Sequence, residues 1–116
     1  MISKGVFVLR DSIRNLYDTI TERRSNPQEG SYTCYLFEKG MDKILKKCGE
    51  ECSEVLIAAK NNSKDEVIYE ISDLTFHLCV LMAEMGIEPE EIAAELDKRS
   101  QKTGNLKQVH QVDKNT

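Results

Sequence analysis

The fold is decided by the stretch "ILKKCGEECSEVLIAAKNNSKDEVIYEISDLTFHLCVLM", residues 44–82. Apolar residues recur in it every three or four positions, the pattern of amphipathic α-helices, on both sides of a polar turn near Asn62. This pattern predicts a helix over about Asp42–Asn61, and Ser63 with Glu66 three residues later predicts a capping box that opens the next helix. Because the connection is short, the two helices are expected to pack antiparallel.

Helical periodicity covers most of the remaining chain, and turn residues separate the segments. The predicted elements are a helix over about Asp11–Arg24, a loop over Ser25–Gly30, a short helix over Ser31–Gly40, a stop of the second long helix at Gly86, and a last helix opened by Pro89. The segment "VFVL", Val6–Leu9, is the only candidate strand. The sequence therefore predicts an all-α bundle of four to five helices in one domain, residues 1–102, followed by a polar tail, residues 103–116.

Composition narrows the class of partner. The 116-residue chain has a formal net charge of −4 and a pI of about 5.2, without a basic tract, which argues against nucleic acid as the main partner. No apolar run approaches the length of a membrane span, and no signal peptide is recognised. The four cysteines include no CxxC pair, and Cys48 and Cys52 fall on an apolar helix face. They are interpreted as buried thiols of a cytoplasmic protein.

Two carboxylate pairs lie on the predicted hairpin, Glu51/Glu54 and Glu70/Asp73, each with i, i+3 spacing. Glu51 is eleven residues before Asn62 and Asp73 is eleven after it, so antiparallel packing would bring the pairs level. On a helical wheel, Glu51 lies closest to the apolar face. Four carboxylates at one level would repel each other unless a cation neutralises them. An all-oxygen set favours Mg²⁺ or Mn²⁺ over zinc, and the lack of a ligand-rich loop disfavours Ca²⁺.

Other interpretations of these acids stay open at this point. Glutamates on helices are commonly solvated surface charges, and the EExxE pattern alone is a weak indication of a metal site. Di-iron bundles use a Glu-x-x-His element, but here the residue three positions before His77 is Leu74. His77 is therefore interpreted as a hydrogen-bonding residue rather than as a metal ligand.

Three lysines, Lys43, Lys46 and Lys47, lie on the first turns of the helix that carries the first acid pair. They could simply pair with acids one turn away, as Lys47 with Glu51, for about 0.3 kcal/mol. Beside a carboxylate-bound metal, lysines commonly neutralise phosphate oxygens. Carboxylates, a divalent metal and lysines together indicate chemistry on a polyphosphate.

Two segments, "SYTCYLFEKGMDKILKKCGEECSEVLIAAK" and "YEISDLTFHLCVLM", resemble the phosphoribosyl-ATP pyrophosphohydrolase family of the all-α, MazG-like nucleoside triphosphate pyrophosphatase superfamily. The superfamily pattern is EExxE followed by ExxD, here separated by fifteen residues. That pattern identifies only the superfamily. The parts "SYT", "KKCGEE" and "SDLTFHL" point to the family, and the resemblance covers about Leu9–Arg99.

The resemblance implies a homodimer that binds Mg²⁺, with Mn²⁺ as a possible substitute. The implied metal ligands are Glu51, Glu54, Glu70 and Asp73. Glu50 would be a further ligand or the base, so the candidate catalytic residues are Glu50, Glu51 and Glu54. The small-molecule nucleotide substrate would be bound by Arg23, Ser31, Tyr32, Thr33, Lys43, Lys46, Lys47 and His77.

The implied reaction is the hydrolysis of phosphoribosyl-ATP to phosphoribosyl-AMP and pyrophosphate, the second step of L-histidine biosynthesis. Nothing in the sequence resembles the cyclohydrolase that is fused to this domain in many organisms, so the stand-alone form is expected. The alternative is a house-cleaning nucleoside triphosphate pyrophosphatase that acts on dUTP or a non-canonical nucleotide through the same acids. A further alternative, from a different class, is a non-catalytic helical interaction module.

Overall fold

Five helices make up the fold in the computed structural model, which describes residues 8–101. They are α1 (Leu9–Ser25), α2 (Tyr32–Lys39), α3 (Met41–Lys60), α4 (Lys64–Met85) and α5 (Pro89–Ser100). The predicted all-α class is confirmed, since no strand occurs within the described range. The strand predicted at Val6–Leu9 is wrong where it can be compared, because Val8 is the N-cap of α1 and Leu9 is its first residue. Residues 6 and 7 and the predicted tail, 103–116, lie outside the described residues.

A turn of three residues closes the α3–α4 hairpin. Asn62 has a φ of 56°, a left-handed conformation that asparagine tolerates better than most residues. The amides of Asn62 and Ser63 donate to the carbonyls of Ala59 and Ala58 at 3.0 and 3.4 Å, which ends α3 in a Schellman motif. Ser63 Oγ then accepts a hydrogen bond from the Glu66 amide at 3.3 Å and caps α4. The Ser63 half of the predicted capping box is therefore confirmed, but the reciprocal bond is replaced because the Ser63 amide donates to the end of α3. The tight turn fixes the register of the two helices.

The predicted C-terminal end of α4 and the predicted start of α5 are also confirmed. Gly86 ends α4 in the left-handed conformation, with a φ of 72°, and the Ile87 amide donates to the Met82 carbonyl at 2.8 Å. Pro89 is the first residue of α5, where its missing amide hydrogen costs nothing. The reversal between these helices takes only three residues.

The core lies between the first four helices. Its buried members are Tyr17, Ile20, Leu36, Ile44, Cys79, Val80 and Ala83. Burying each of the large aliphatic side chains contributes roughly 1.5–3 kcal/mol relative to leaving it in water. Helices α3 and α4 share the most extensive contact, and α1 and α2 cover one face of this hairpin. The core therefore holds the two acid-bearing helices rigidly against each other.

The opposite face of the hairpin is not covered in the described chain. Cys52, predicted to be buried, is exposed, and so are Ile68, Ile71 and Leu78 of α4. The prediction for Cys52 is wrong because periodicity identifies an apolar face, not the element that covers it. The fourth cysteine of the chain, Cys79, is buried as predicted.

Helix α5 contributes no buried residue, and it contacts α1 partly through charged side chains. The guanidinium of Arg14 lies 2.9 Å from Glu90 and 3.4 Å from Glu88 at the start of α5, and 2.6 Å from Asp18 on its own helix. This cluster joins α5 to α1 through charged groups at the surface. None of the described helices combines the length and apolar character needed to cross a membrane.

Candidate metal centre and active site

The four acids predicted to converge do so, two from α3 and two from α4. Glu51, Glu54, Glu70 and Asp73 each place one carboxylate oxygen within 4.8 Å of the others. We call this set the four-carboxylate cluster. Its geometry follows from the short turn at Asn62, which sets equal lengths of helix on either side of it. The cluster has the form of a divalent cation site built on two rigid helices.

Glu51 is the buried member of the cluster, with 3% of its surface exposed. Its predicted position nearest the apolar face is thereby confirmed. Burial, followed by the adjoining carboxyls of Glu54 and Asp73, raises the pKa of Glu51 to about 7. Within residues 8–101, no group donates a hydrogen bond to its Oε2 atom. A buried, unpartnered carboxylate oxygen is costly, so this atom marks the place where a cation would be most stabilising.

Glu54 is the exposed member of the cluster, whereas Glu70 is partly buried. Burial, followed by the negative charges of Glu54 and Asp73, raises the pKa of Glu70. In the absence of a cation, the charges of Glu54 and Asp73 therefore oppose the ionisation of both Glu51 and Glu70. Such mutual repulsion is typical of acids gathered for a ligand rather than spread over a solvated face.

Lys47 is the cation closest to these acids. Its Nζ atom lies 3.3 Å from Glu50 and 3.8 Å from Glu51. Partial burial opposes its charge, but the Glu50 carboxylate and further negative charge nearby raise its pKa, so it stays protonated. Glu50 itself is half-exposed and is absent from the four-carboxylate cluster. The structure thus separates Glu50, which pairs with Lys47, from the converging acids.

His77 is buried beside the cluster and uses both ring nitrogens. Its Nδ1 lies 2.8 Å from the main-chain oxygen of Asp73 and 3.5 Å from Asp73 Oδ1, and its Nε2 lies 3.0 Å from the Tyr32 hydroxyl. The interpretation of His77 as a hydrogen-bonding residue is confirmed by these contacts, while its contact with the substrate stays a prediction. The i, i+4 spacing of Asp73 and His77 was a readable signal, whereas the pairing with Tyr32 was not.

The predicted substrate residues of the first loop gather at the start of α2. Ser31 is the N-cap of this helix, and its Oγ accepts a hydrogen bond from the Cys34 amide at 3.2 Å. The Cys34 thiol donates to the main-chain oxygen of Arg23 at 3.3 Å, which holds the end of α1 against α2. Thr33 is half-buried in the first turn. Arg23, Ser31 and Thr33 therefore belong to one region, which Tyr32 joins to the acids.

The other two lysines, Lys43 and Lys46, form no ion pair with an acid among residues 8–101. The ammonium of Lys43 lies 5.8 Å from the centroid of the Tyr35 ring, a cation–π distance. Lys46 is exposed to solvent. Of the three predicted phosphate-binding lysines, Lys47 is thus the one with ion pairs to the glutamates of α3.

Comparison with known proteins identifies the family to which the chain belongs. A family model described as phosphoribosyl-ATP pyrophosphohydrolase matches residues 13–100, a range that contains every member of the four-carboxylate cluster. The chain belongs to the phosphoribosyl-ATP pyrophosphohydrolase family. The resemblance read from the sequence is confirmed, and with it the enzyme class, a hydrolase that acts on a phosphoanhydride.

Curated relatives of the phosphoribosyl-ATP pyrophosphohydrolase family align with most of the chain. A phosphoribosyl-ATP pyrophosphatase of Clostridium novyi (strain NT) is 54% identical over 97 residues, 84% of this chain and 88% of the relative. One of Lacticaseibacillus casei (strain BL23) is 51% identical over 105 residues, 90% of this chain and 96% of the relative. A histidine biosynthesis bifunctional protein HisIE of Caldanaerobacter subterraneus subsp. tengcongensis is 58% identical over 90 residues, which is 78% of this chain but only 44% of that longer protein.

Proposed function

We propose that the chain hydrolyses phosphoribosyl-ATP to phosphoribosyl-AMP and pyrophosphate, the second step of L-histidine biosynthesis, with a divalent cation at the four-carboxylate cluster. Family membership and the names of its relatives support this reaction over the house-cleaning alternative. The observation that carries the metal role is the buried Oε2 of Glu51, which lacks a hydrogen-bond donor among the described residues. A cytoplasmic location, inferred from the cysteines, stays a prediction.

The residues of the cluster fit Mg²⁺, with Mn²⁺ as a substitute. All four donors are carboxylate oxygens, and no cysteine is among them. Hard oxygen donors of this kind suit Mg²⁺ and Mn²⁺ better than zinc. We propose that the ligands are Glu51, Glu54, Glu70 and Asp73. Bound there, the cation would offset negative charge on the phosphate oxygens during cleavage.

Glu50 and Lys47 are proposed to have different roles in the reaction. Lys47, charged and beside the cluster, binds phosphate oxygens of the substrate. Glu50 stands outside the converging set and is half-exposed, so its carboxylate is available to accept the proton of the attacking water. The region of Arg23, Ser31 and Thr33, together with the outlying lysines, is proposed to contact the rest of the nucleotide.

The reaction is tested by measuring pyrophosphate release from phosphoribosyl-ATP and from a panel that includes dUTP and the common nucleoside triphosphates. We expect Mg²⁺-dependent turnover with a marked preference for phosphoribosyl-ATP, and rescue of a histidine auxotroph that lacks this step. Preference for another nucleotide would establish the house-cleaning alternative. No Mg²⁺-dependent phosphate release from any of them would favour the non-catalytic interaction module.

Two amide substitutions separate the metal ligands from the proposed base. Glu51→Gln should abolish both Mn²⁺ binding and turnover, because it removes the buried charge of the cluster. Glu50→Gln should lower kcat by a factor of about 10²–10⁴ while Mn²⁺ affinity stays within about two-fold of the wild type. Glu38→Gln, on the exposed side of α2, is the matched control. If Glu50→Gln loses metal affinity in step with activity, Glu50 is a ligand and the base lies elsewhere.

We further propose that the chain forms a homodimer through an apolar groove between α1, α4 and α5. The groove has a volume of about 410 Å³, and Leu78, Ile92 and Leu96 line it while remaining 41%, 45% and 59% exposed. A second copy that presents the same face would remove this apolar surface from water. Light scattering should therefore give a dimer for the wild type and for Lys98→Asp, and a monomer for Leu96→Asp. A wild type that is monomeric at all concentrations would overturn this part of the proposal.

A further inference from the structure

His77 has a definite arrangement of its ring hydrogen. Its Nδ1 lies 2.8 Å from the main-chain oxygen of Asp73, and a carbonyl oxygen can only accept, so Nδ1 carries the hydrogen. In the neutral ring, Nε2 is then an acceptor, and the Tyr32 hydroxyl donates to it across 3.0 Å. The hydrogen bonds therefore run in one direction, from Tyr32 on α2 through His77 to Asp73 on α4.

The imidazole of His77 also forms a wall of the four-carboxylate cluster. A ring nitrogen of His77 and one oxygen each of Glu51 and Asp73 lie within 4.8 Å of one another. The Nδ1–H group, which donates to the Asp73 main-chain oxygen, also lies 3.5 Å from Asp73 Oδ1, so its positive end is close to the carboxylate that approaches Glu51. Both nitrogens are already engaged, which argues against the ring as a metal ligand in this conformation.

The ring of His77 is itself held in place by two aromatic side chains, one from α2 and one from α4. Only 2% of His77 is exposed, and the rings of Tyr32 and Phe76 meet it edge-on, with centroids 5.7 and 5.0 Å away. Tyr32 is the first residue of α2 and lies in the region proposed to contact the nucleotide. Its ring stacks on Tyr35 at a centroid distance of 6.0 Å, and 44% of its surface is exposed. Tyr32 is thus a partly exposed residue whose hydroxyl reaches a buried neighbour of the proposed metal ligands.

We propose that Tyr32 and His77 are a positioning pair: Tyr32 fixes the His77 ring, and His77 fixes the Asp73 carboxylate toward Glu51 in the geometry that binds the cation. This inference rests on the proposed function, because it requires the four-carboxylate cluster to bind a divalent metal. It assigns metal affinity in part to a hydroxyl that touches neither the metal nor its ligands. The start of α2 and the metal centre are thereby coupled through one hydrogen bond.

The test is the affinity for Mn²⁺ alone, measured by electron paramagnetic resonance of the free ion. Tyr32→Phe removes one oxygen from a half-exposed side chain, so its thermal stability in EDTA should match that of the wild type. We expect it to bind Mn²⁺ about three- to ten-fold more weakly, the effect of losing one hydrogen bond. Tyr35→Phe, on the same helix turn and also partly exposed, is the control and should bind as the wild type does.

Variants of His77 test whether the two residues act as one pair. Asn can place a donor near the position of Nδ1 but leaves Tyr32 without its acceptor, so His77→Asn should retain more affinity than His77→Ala. In the His77→Asn protein, adding Tyr32→Phe should have no further effect, whereas independent residues would give multiplied losses. Circular dichroism identifies any His77 variant that does not fold, and the result for Tyr32→Phe then decides alone.

The outcomes separate this inference from the proposed function. A wild type that binds no Mn²⁺ overturns both. A wild type that binds Mn²⁺ while Tyr32→Phe binds it equally well overturns only the positioning pair. Electron spin echo envelope modulation of bound Mn²⁺ should show no directly coordinated ¹⁴N, and a coordinated nitrogen would make His77 a ligand instead.

Discussion

Replacing Glu51 with glutamine should make the metal-free protein more stable at neutral and alkaline pH. In the folded chain the pKa of Glu51 is about 7, because burial and the neighbouring carboxyls of Glu54 and Asp73 disfavour its charge, against an ordinary value of 4.5. Above pH 7 the folded state therefore carries a buried charge that the unfolded chain would hold in water. Glutamine has nearly the same shape and no charge, so it removes this cost.

The size of the effect follows from the two pKa values. A folded pKa of about 7 against 4.5 in the unfolded chain corresponds to roughly 3 kcal/mol. The folded state binds the proton more tightly, so the stabilisation is complete below about pH 4.5 and is lost as the pH rises through the folded pKa. Glu51→Gln should therefore exceed the wild type by up to ~3 kcal/mol at about pH 8 and by less than ~1 kcal/mol at about pH 5. A domain of this size is stable by only about 5–15 kcal/mol, so the difference is readily measured.

The assay is urea unfolding followed by far-ultraviolet circular dichroism, at about pH 5 and about pH 8, in EDTA and in Mg²⁺. With Mg²⁺ at about 100 times its Kd, binding to the native state stabilises the wild type by about 2.7 kcal/mol. The variant should gain nothing, so the advantage that it has in EDTA should largely disappear. Glu38→Gln removes one exposed charge from α2 and controls for the change in net charge.

Two results would refute this reasoning. If Glu51→Gln is no more stable than the wild type in EDTA at alkaline pH, Glu51 is not a buried, repelled carboxylate. If the variant is still stabilised by Mg²⁺ as strongly as the wild type, the charge of Glu51 does not hold the cation.

Three further predictions concern the turns and α5. Asn62→Ala should lower the free energy of unfolding in urea by roughly 1 kcal/mol, because the φ of residue 62 is left-handed, whereas Asn62→Gly should leave it unchanged. Equal losses for both variants would instead indicate a role for the Asn62 side chain. Ser63→Ala should cost about 1 kcal/mol because the Glu66 amide loses its acceptor, and an unchanged unfolding midpoint would contradict the cap. Arg14→Met should speed amide hydrogen exchange in α5 without affecting α3, because it breaks the contact with Glu90. Arg10→Met is the control. Unchanged exchange in the Arg14→Met protein would show that apolar contacts hold α5.

The local features of the fold could be predicted from the sequence because they depend on neighbouring residues. Ser63 and Gly86 mark helix ends through contacts with residues no more than five positions away. Helical spacing and a short turn were also sufficient to bring Glu51 level with Asp73. The strand proposed at Val6–Leu9 failed where it could be compared, because Val8 is the N-cap and Leu9 the first residue of α1, and a short apolar run does not by itself distinguish a strand from a helix.

Burial on the outer face of the hairpin was not predictable in the same way. Periodicity placed Cys48 and Cys52 on one apolar face, but α1 and α2 cover only part of it, so Cys52 is exposed. An apolar pattern predicts which face of a helix is buried in some contact, but it does not predict which element packs against that face. The same ambiguity applies to Ile71 and Leu78 of α4.

The helices, the register of the hairpin and the convergence of four acids on one level follow from the order of the residues. Tertiary packing is what buries Glu51, leaves its Oε2 without a donor among residues 8–101, and brings Tyr32 to His77 from 45 positions away. The reason is physical: spacing along a helix fixes which residues share a face, through dihedral angles that repeat locally. The pKa of a carboxyl and the partner of a buried ring depend on which other helices pack against that face, and this packing is settled only when the whole core forms.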